Sequence, residues 1–174
     1  MARRATSLNK AQVRFIVRFA GLLVLFYVIT TPKVVDRAVV APFTRAITAV
    51  STAALQVIGQ DVSRDGTIIR GNGFAVDIKN GCNGIEALVF LCAAMFAFAA
   101  PLRSRLVGIV VGALAVEALN VVRIASLFLL GRYRPDLFET FHLAVWQSVI
   151  FGAAVLIFAF WTTRVRPIDA AATR

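Results

Sequence analysis

Residues 106–130 read LVGIVVGALAVEALNVVRIASLFLL, an apolar run that also carries Glu117, Asn120 and Arg123. A membrane span needs about 20 mostly apolar residues, so this run is long enough to cross a bilayer. Because a charged group in lipid is costly, we predict a helix that turns these three polar side chains toward the protein interior.

The composition indicates a membrane protein throughout. Hydrophobic residues make up 59% of the 174 residues and charged residues only 16%, and mean hydropathy is +0.80. Ordinary soluble domains have about 25% charged residues. We therefore predict an all-α polytopic membrane protein with about four to five transmembrane helices and no separate soluble module.

Three further runs are apolar enough to span: residues 12–31, 84–101 and 143–162. The first has basic residues before it and no A-x-A cleavage pattern after it, so we interpret it as an uncleaved signal anchor. Gly108 and Gly112 have the GxxxG spacing that allows helices to approach closely. A compact bundle is expected.

Two elements are predicted between the first and second spans. Residues 38–59 form a mildly amphipathic helix diluted by Thr, Ser and Gln, which favours an interfacial or re-entrant position. If this segment spanned the membrane, every later element would change sides. Residues 67–79 have apolar side chains at alternate positions, such as Phe74, Val76 and Ile78, on one side of a glycine-rich turn. This pattern predicts a β-hairpin.

Basic residues give the orientation by the positive-inside rule. The N-terminal segment, the loop between the second and third spans and the C-terminal tail belong in the cytoplasm by this rule; their basic residues include Arg3, Arg4, Arg103, Arg105, Arg164, Arg166 and Arg174. Residues 32–83 and a loop at residues 131–142 are then outside. That loop carries Arg132 and Arg134, which count against the rule without reversing it. In a bacterial inner membrane this outer side is the periplasm.

This topology brings Cys82, His142 and Arg123 to one face of the membrane. A thiol can attack a carbonyl, an imidazole can move the protons, and a fixed guanidinium can stabilise the negative charge. A helix N-terminus next to Cys82, together with the cation, is expected to lower the pKa of the thiol.

Each residue also has a structural interpretation. Cysteine is common inside helical bundles, as Cys92 illustrates, and His142 could be an interfacial anchor. Arg123 could form an ion pair with Glu117 or Glu86. The alternative function is therefore a non-enzymatic transporter subunit or assembly factor with a buried Glu/Arg network.

Other chemistries fit the sequence poorly. One histidine and two separated cysteines, without a carboxylate cluster, argue against a metal site. No glycine-rich phosphate loop is present, and no cofactor is predicted. The net charge of +10 comes from residues that flank membrane helices, so we expect contact with anionic lipid and none with nucleic acid.

Three segments resemble the exosortase/archaeosortase family of membrane-embedded cysteine transpeptidases, and the short length is similar to the bacterial exosortase H subclass. The segments are Cys82-Asn83-Gly84-Ile85, Asn120-Val121-Val122-Arg123-Ile124 and Phe141-His142. Many family members have glycine shortly after the histidine, where this chain has residues 143–147.

The resemblance implies a catalytic Cys82, Arg123 and His142, and we add Asn83, Glu86, Glu117 and Asn120 as supporting residues. It also implies substrates: exported proteins with a C-terminal tail made of a short motif, a transmembrane helix and a basic cluster. The enzyme would cut the tail and transfer the protein to an unknown acceptor. We expect the substrate helix to dock on the small-residue faces of the second and third spans, which carry Gly108 and Gly112.

Overall fold

The computed structural model describes residues 9–71 and 73–165. They form five helices and a small antiparallel sheet. The helices are α1 (Lys10–Thr30), α2 (Lys33–Val57), α3 (Ile85–Ala97), α4 (Leu102–Tyr133) and α5 (Pro135–Arg164). The strands are β1 (Ser63–Asp65), β2 (Ile68–Gly71) and β3 (Phe74–Asp77). In the described chain, the four helices α1, α2, α4 and α5 are long and apolar enough to cross a membrane. The predicted all-α polytopic fold is confirmed.

Helix α4 is central to the molecule and packs against α2, α3 and α5. Its first half contacts α3 and α5 in an inner core that includes Leu91, Val116 and Ala154. Its second half contacts α2 and the sheet in an outer core that includes Leu55, Ile69 and Phe128. Helix α1 has no buried residue and lies against α3.

The GxxxG pair lies inside the bundle. A side chain at Gly108 would meet the indole of Trp161, and a side chain at Gly112 would meet Leu91 and Ile157. The predicted close packing is therefore confirmed. Gly108 and Gly112 themselves are covered by side chains of α3 and α5. Docking of a substrate helix on the small-residue faces of α3 and α4 stays a prediction.

Helix α3 is shorter than the predicted span of residues 84–101. It has 13 residues, or about 20 Å at the rise of an α-helix, and ends at Ala97. Phe98 is extended, with ψ 137°, and Pro101 disfavours helix at the residue before it. The chain turns there into α4.

Helix α4 is longer than the predicted residues 106–130. Its 32 residues extend about 48 Å, well beyond a hydrocarbon core of about 30 Å. The predicted loop at residues 131–142 is largely helical, since only Arg134 separates α4 from α5. Pro135 stands in the first turn of α5, where its missing N–H leaves no hydrogen bond unmade.

The predicted helix at residues 38–59 is present as α2, which begins earlier, at Lys33, and contains a π-helical turn at Asp36–Val40. Its start is tied to the Cys82 loop, because Asn80 donates to the Asp36 carboxylate at 3.3 Å. It runs beside only the second half of α4 and ends near Gln60, which accepts a hydrogen bond from Arg132. Its interfacial or re-entrant position stays a prediction.

The sheet has the strand order β1-β2-β3, antiparallel throughout. The hairpin predicted at residues 67–79 is confirmed as β2 and β3, with Ile69 opposite Val76. Strand β1 was not predicted. Its sequence, Ser-Arg-Asp, is polar and exposed along its whole length, so it has no hydrophobic alternation to mark it.

The bundle has two distinct ends. Phe15 of α1 stacks on Phe158 of α5, and the Trp161 indole donates to the carbonyl of Ser104 at 3.2 Å. The basic end therefore collects Arg14, Arg18, Arg103, Arg105 and Arg164. Arg3, Arg4, Arg166 and Arg174 lie outside the described residues. The opposite end, the site end, carries Cys82 and the sheet.

The tight packing at Gly112 gives a stability test. Gly112→Val should lower the free energy of unfolding in detergent by about 1–3 kcal/mol, because the added carbons overpack the contact with Leu91. Gly152→Val is the matched control, since a Cβ at Gly152 meets no atom within 4 Å. Thermal unfolding followed by tryptophan fluorescence measures both. Equal midpoints for the two variants would contradict the packing.

Candidate active site

Cys82 lies in a tight loop between β3 and α3. The loop turns where the backbone N–H of Cys82 donates to the carbonyl of Lys79 at 2.9 Å. Gly81 and Gly84 on either side have φ of +88° and +87°, a region that favours glycine. The two Asn-Gly pairs thus reverse the chain twice and place the thiol ahead of α3.

His142 faces Cys82 across this end of the bundle. The Sγ of Cys82 and the Nε2 of His142 are 2.8 Å apart, although the residues are 60 positions apart in sequence. His142 lies in a π-helical turn, Phe141–Val145, a feature that is frequent at functional sites. The ring of Phe138 lies 5.6 Å from the imidazole, centre to centre. The pair has the geometry of a nucleophile and its general base.

Arg123 lies beneath the Cys82 loop and is only 2% exposed. Its Nη2 donates to the carbonyl of Gly81 at 3.2 Å and to the Oε1 of Gln147 at 3.4 Å. Its Nε has no partner in the described chain. The predicted inward position of Arg123 is confirmed, and it places a fixed cation next to the thiol.

Glu86 contacts the same loop from the other side. Its Oε1 accepts a hydrogen bond from the N–H of Gly81 at 2.8 Å. The described residues contain two ion pairs, Lys79 with Asp77 and Arg134 with Asp136. Neither involves Glu86, Glu117 or Arg123, so the geometry on which the alternative Glu/Arg network depends is absent from this part of the chain.

The other supporting residues are structural neighbours of the loop. Asn83 is fully buried, donates to the Oγ1 of Thr44 at 2.9 Å and accepts from the N–H of Ile85 at 3.2 Å. It therefore links the loop to α2 and accepts a hydrogen bond from one of the free backbone N–H groups in the first turn of α3.

Glu117 and Asn120 form the lower part of the polar stripe on α4. The amide of Asn120, which is fully buried, donates to the Oε2 of Glu117 at 3.4 Å. The Glu117 carboxylate occupies the space that a side chain at position 84 would take. Gly84 is therefore required both for its backbone conformation and for this close approach.

A cavity of about 470 Å³ opens beside the three predicted catalytic residues. Strand β3 forms one wall, the start of α5 forms another, and α4 forms the floor. Cys82, Arg123 and His142 line it. The rings of Phe74 and Phe138, whose centres are 6.2 Å apart, line it as well. The cavity can hold a short peptide with its backbone next to the thiol.

The pKa of the Cys82 thiol is above its ordinary value. Burial is the largest cause and raises the pKa, the Arg123 guanidinium lowers it, and Glu86 raises it again. The expectation of a lowered pKa is therefore wrong, because burial outweighs the cation. A thiol that stays protonated near neutral pH needs His142 to remove its proton.

Some residues of the site were not predicted. Gln147 binds Arg123, Thr44 anchors Asn83, and Phe138 packs on His142. None has a local sequence signal, because each is recruited by packing between helices. Cys92 is half-buried in α3 and has no polar partner in the described chain. Within residues 9–71 and 73–165, no three His, Cys, Asp or Glu side chains are grouped to hold a metal ion.

The opposing influences on Cys82 predict a pH dependence. In a Cys92→Ser background, alkylation of Cys82 should rise with pH through a midpoint above the ordinary thiol pKa. Arg123→Gln should move this midpoint to higher pH, because it removes the charge that stabilises the thiolate. Arg123→Lys keeps the charge and is the control. Rates of iodoacetamide labelling at several pH values measure the midpoints; an unchanged or lower midpoint in Arg123→Gln would contradict the assignment.

Comparison with known proteins places this geometry in a family. The family model described as Transmembrane exosortase (Exosortase_EpsH) matches residues 6–160. No curated protein and no solved structure matches the chain. The matched range contains all three segments on which the resemblance was based and covers most of the sequence. The chain is therefore a multi-pass membrane protein and belongs to the exosortase family.

Proposed function

We propose that the protein is a cysteine protease and transpeptidase that cleaves C-terminal sorting tails of exported proteins. The observation that carries the proposal is the 2.8 Å contact between Cys82 Sγ and His142 Nε2 in the wall of a peptide-sized cavity. Membership of the exosortase family supports the same class of activity.

The first half of the reaction is acylation of Cys82. As Sγ attacks the carbonyl carbon of the scissile peptide bond, the thiol proton passes to Nε2 of His142. An S–C bond forms, the C–N bond breaks, and His142 returns the proton to the departing amine. The products are a thioester on Cys82 and a released helix with its basic cluster.

The second half transfers the acyl group. A nucleophile on the acceptor attacks the thioester carbonyl and gives its proton to His142. The S–C bond then breaks, and His142 returns the proton to Sγ, which restores the Cys82 thiol. Water in place of the acceptor would give hydrolysis by the same steps.

Arg123 acts as an electrostatic stabiliser in this scheme. Its guanidinium is buried and lies beside the carbonyl of Gly81, one residue before the nucleophile. A cation fixed in a site of low dielectric stabilises developing negative charge without reorganisation. Gln147 and Gly81 both accept hydrogen bonds from its Nη2 and hold it there. Arg123→Lys should impair the reaction, because the lysine ammonium is a point charge on a flexible stem and lacks the planar guanidinium.

The proposed location is the bacterial inner membrane, with the site end facing the periplasm and the basic end facing the cytoplasm. The support is the grouping of arginines at the ends of α1, α4 and α5, opposite Cys82. Membrane lipid would cover α1, whose apolar side chains are exposed along its length. Substrate tails would then reach Cys82 by diffusion in the membrane plane.

Replacement of the nucleophile tests the function. In the native host, Cys82→Ala should cause intact C-terminal tails to accumulate on exported proteins that end in a helix plus a basic cluster. Mass spectrometry of C-terminal peptides measures this. Cys92→Ala is the matched control and should leave processing unchanged. Normal processing in the Cys82→Ala strain, with the protein stably present, would exclude the proposed activity.

Thiol labelling in intact cells tests the orientation. In a Cys92→Ser background, a membrane-impermeant maleimide added to spheroplasts should modify Cys82, because the site end would face outward. A cysteine introduced at Ser104, at the basic end, should react only after permeabilisation. The reverse pattern would mean that the site end faces the cytoplasm, and it would contradict the proposed orientation.

A further inference from the structure

We propose that the free edge of β3 binds the substrate as an added, parallel β-strand and so delivers the scissile bond to Cys82. This inference rests on the proposed function and specifies how the sorting motif is held. An extended peptide that joins an exposed sheet edge gains backbone hydrogen bonds, while pockets for alternate side chains give selectivity.

Strand β3 has an unpaired edge. The sheet order β1-β2-β3 leaves β3 paired on one side only. The N–H of Ile78 donates to the carbonyl of Thr67 at 2.9 Å, and with the register Ile69 to Val76 this directs the backbone groups of residues 74, 76 and 78 toward β2. By the alternation of an antiparallel ladder, the backbone N–H and C=O of Ala75 and Asp77 point away from it.

The active-site cavity lies along this edge. Its wall includes five consecutive residues, from Phe74 to Ile78. A cavity over one face of a strand would be lined by every second residue, whereas a cavity along an edge is lined by all of them. The opposite wall is the face of α5 that carries Phe138 and His142. The slot thus lies between the free backbone groups and the general base.

The chain direction determines that the added strand is parallel. From Phe74, β3 runs toward Cys82, and α3 then continues to the basic end, where Phe98 packs on Trp161. A tail whose exported part is at the site end and whose helix crosses toward the basic end must run the same way. Its extended motif would lie beside β3, its scissile bond beside Cys82, and its helix would then enter the membrane.

A proline at the edge tests the hydrogen bonds. Ala75→Pro removes an N–H that points into the slot. It breaks no hydrogen bond between β2 and β3, and proline is tolerated at such outward positions of edge strands. Tail processing should fall about tenfold, in line with the loss of one backbone hydrogen bond and a steric block. Arg64→Pro is the matched control, because it removes the corresponding outward N–H of β1 at the remote edge of the sheet. The Arg64→Pro enzyme should process tails at the wild-type rate.

Two controls separate the possible failures. Cys82 labelling at the wild-type rate shows that Ala75→Pro is folded, and Ala75→Val, which keeps the N–H, should retain most processing. If Cys82→Ala does not block processing, the proposed function itself is wrong. If Cys82→Ala blocks processing and folded Ala75→Pro is as active as Arg64→Pro, the strand-addition proposal is overturned.

Cross-linking tests the direction without depending on proline. In a chain whose native cysteines are replaced, Ala75→Cys should form a disulfide most efficiently with a cysteine at one position of an accumulated tail upstream of its helix, and next with the positions two residues to either side of it. Moving the enzyme cysteine to Asp77 should shift the linked positions two residues toward the tail's C-terminus. A shift toward the N-terminus, a helical period or no periodicity would overturn parallel strand addition.

Discussion

Hydrogen bonds hold Gly81 at both its N–H and its carbonyl, and the arrangement of the whole site depends on these two bonds. Glu86 accepts the Gly81 N–H at 2.8 Å, while buried Arg123 donates to the Gly81 carbonyl at 3.2 Å. One contact comes from α3 and the other from α4, so the loop cannot move without separating two packed helices. Cys82 is the next residue, and its thiol is thereby held within hydrogen-bonding distance of His142.

This arrangement also gives the buried arginine its partners. An unpaired guanidinium inside a helical bundle is costly, and no carboxylate pairs with Arg123 in the described chain. Its hydrogen bonds go instead to a backbone carbonyl and to the neutral amide of Gln147. The positive charge is therefore left unneutralised next to the thiol, where it can oppose the effect of burial on the Cys82 pKa.

Helix α4 is long enough to extend from the membrane part of the molecule to the active-site cavity. Its first half packs with α3 and α5, and its second half carries α2 and the sheet. Arg123 lies where the two cores meet. The two π-helical turns, at Asp36–Val40 and Phe141–Val145, both contact the Cys82 loop, because Asp36 accepts from Asn80 and His142 contacts Cys82. An extra residue in a turn changes which side chains face inward, and in α5 it lets both His142 and Gln147 face the site.

The sequence by itself determined the helical membrane fold, the hairpin, the inward polar stripe of α4 and the family. These follow from apolar run length, the cost of buried charge, period-two alternation and three short segments, all of which are local signals. Tertiary structure decided the rest. Residues such as Gln147 and Thr44 join the site through contacts across long sequence separations, which leave no local pattern. The Cys82 pKa depends on the balance of burial against charge, and the role of Gly112 depends on which helix covers it; both are properties of packing in three dimensions.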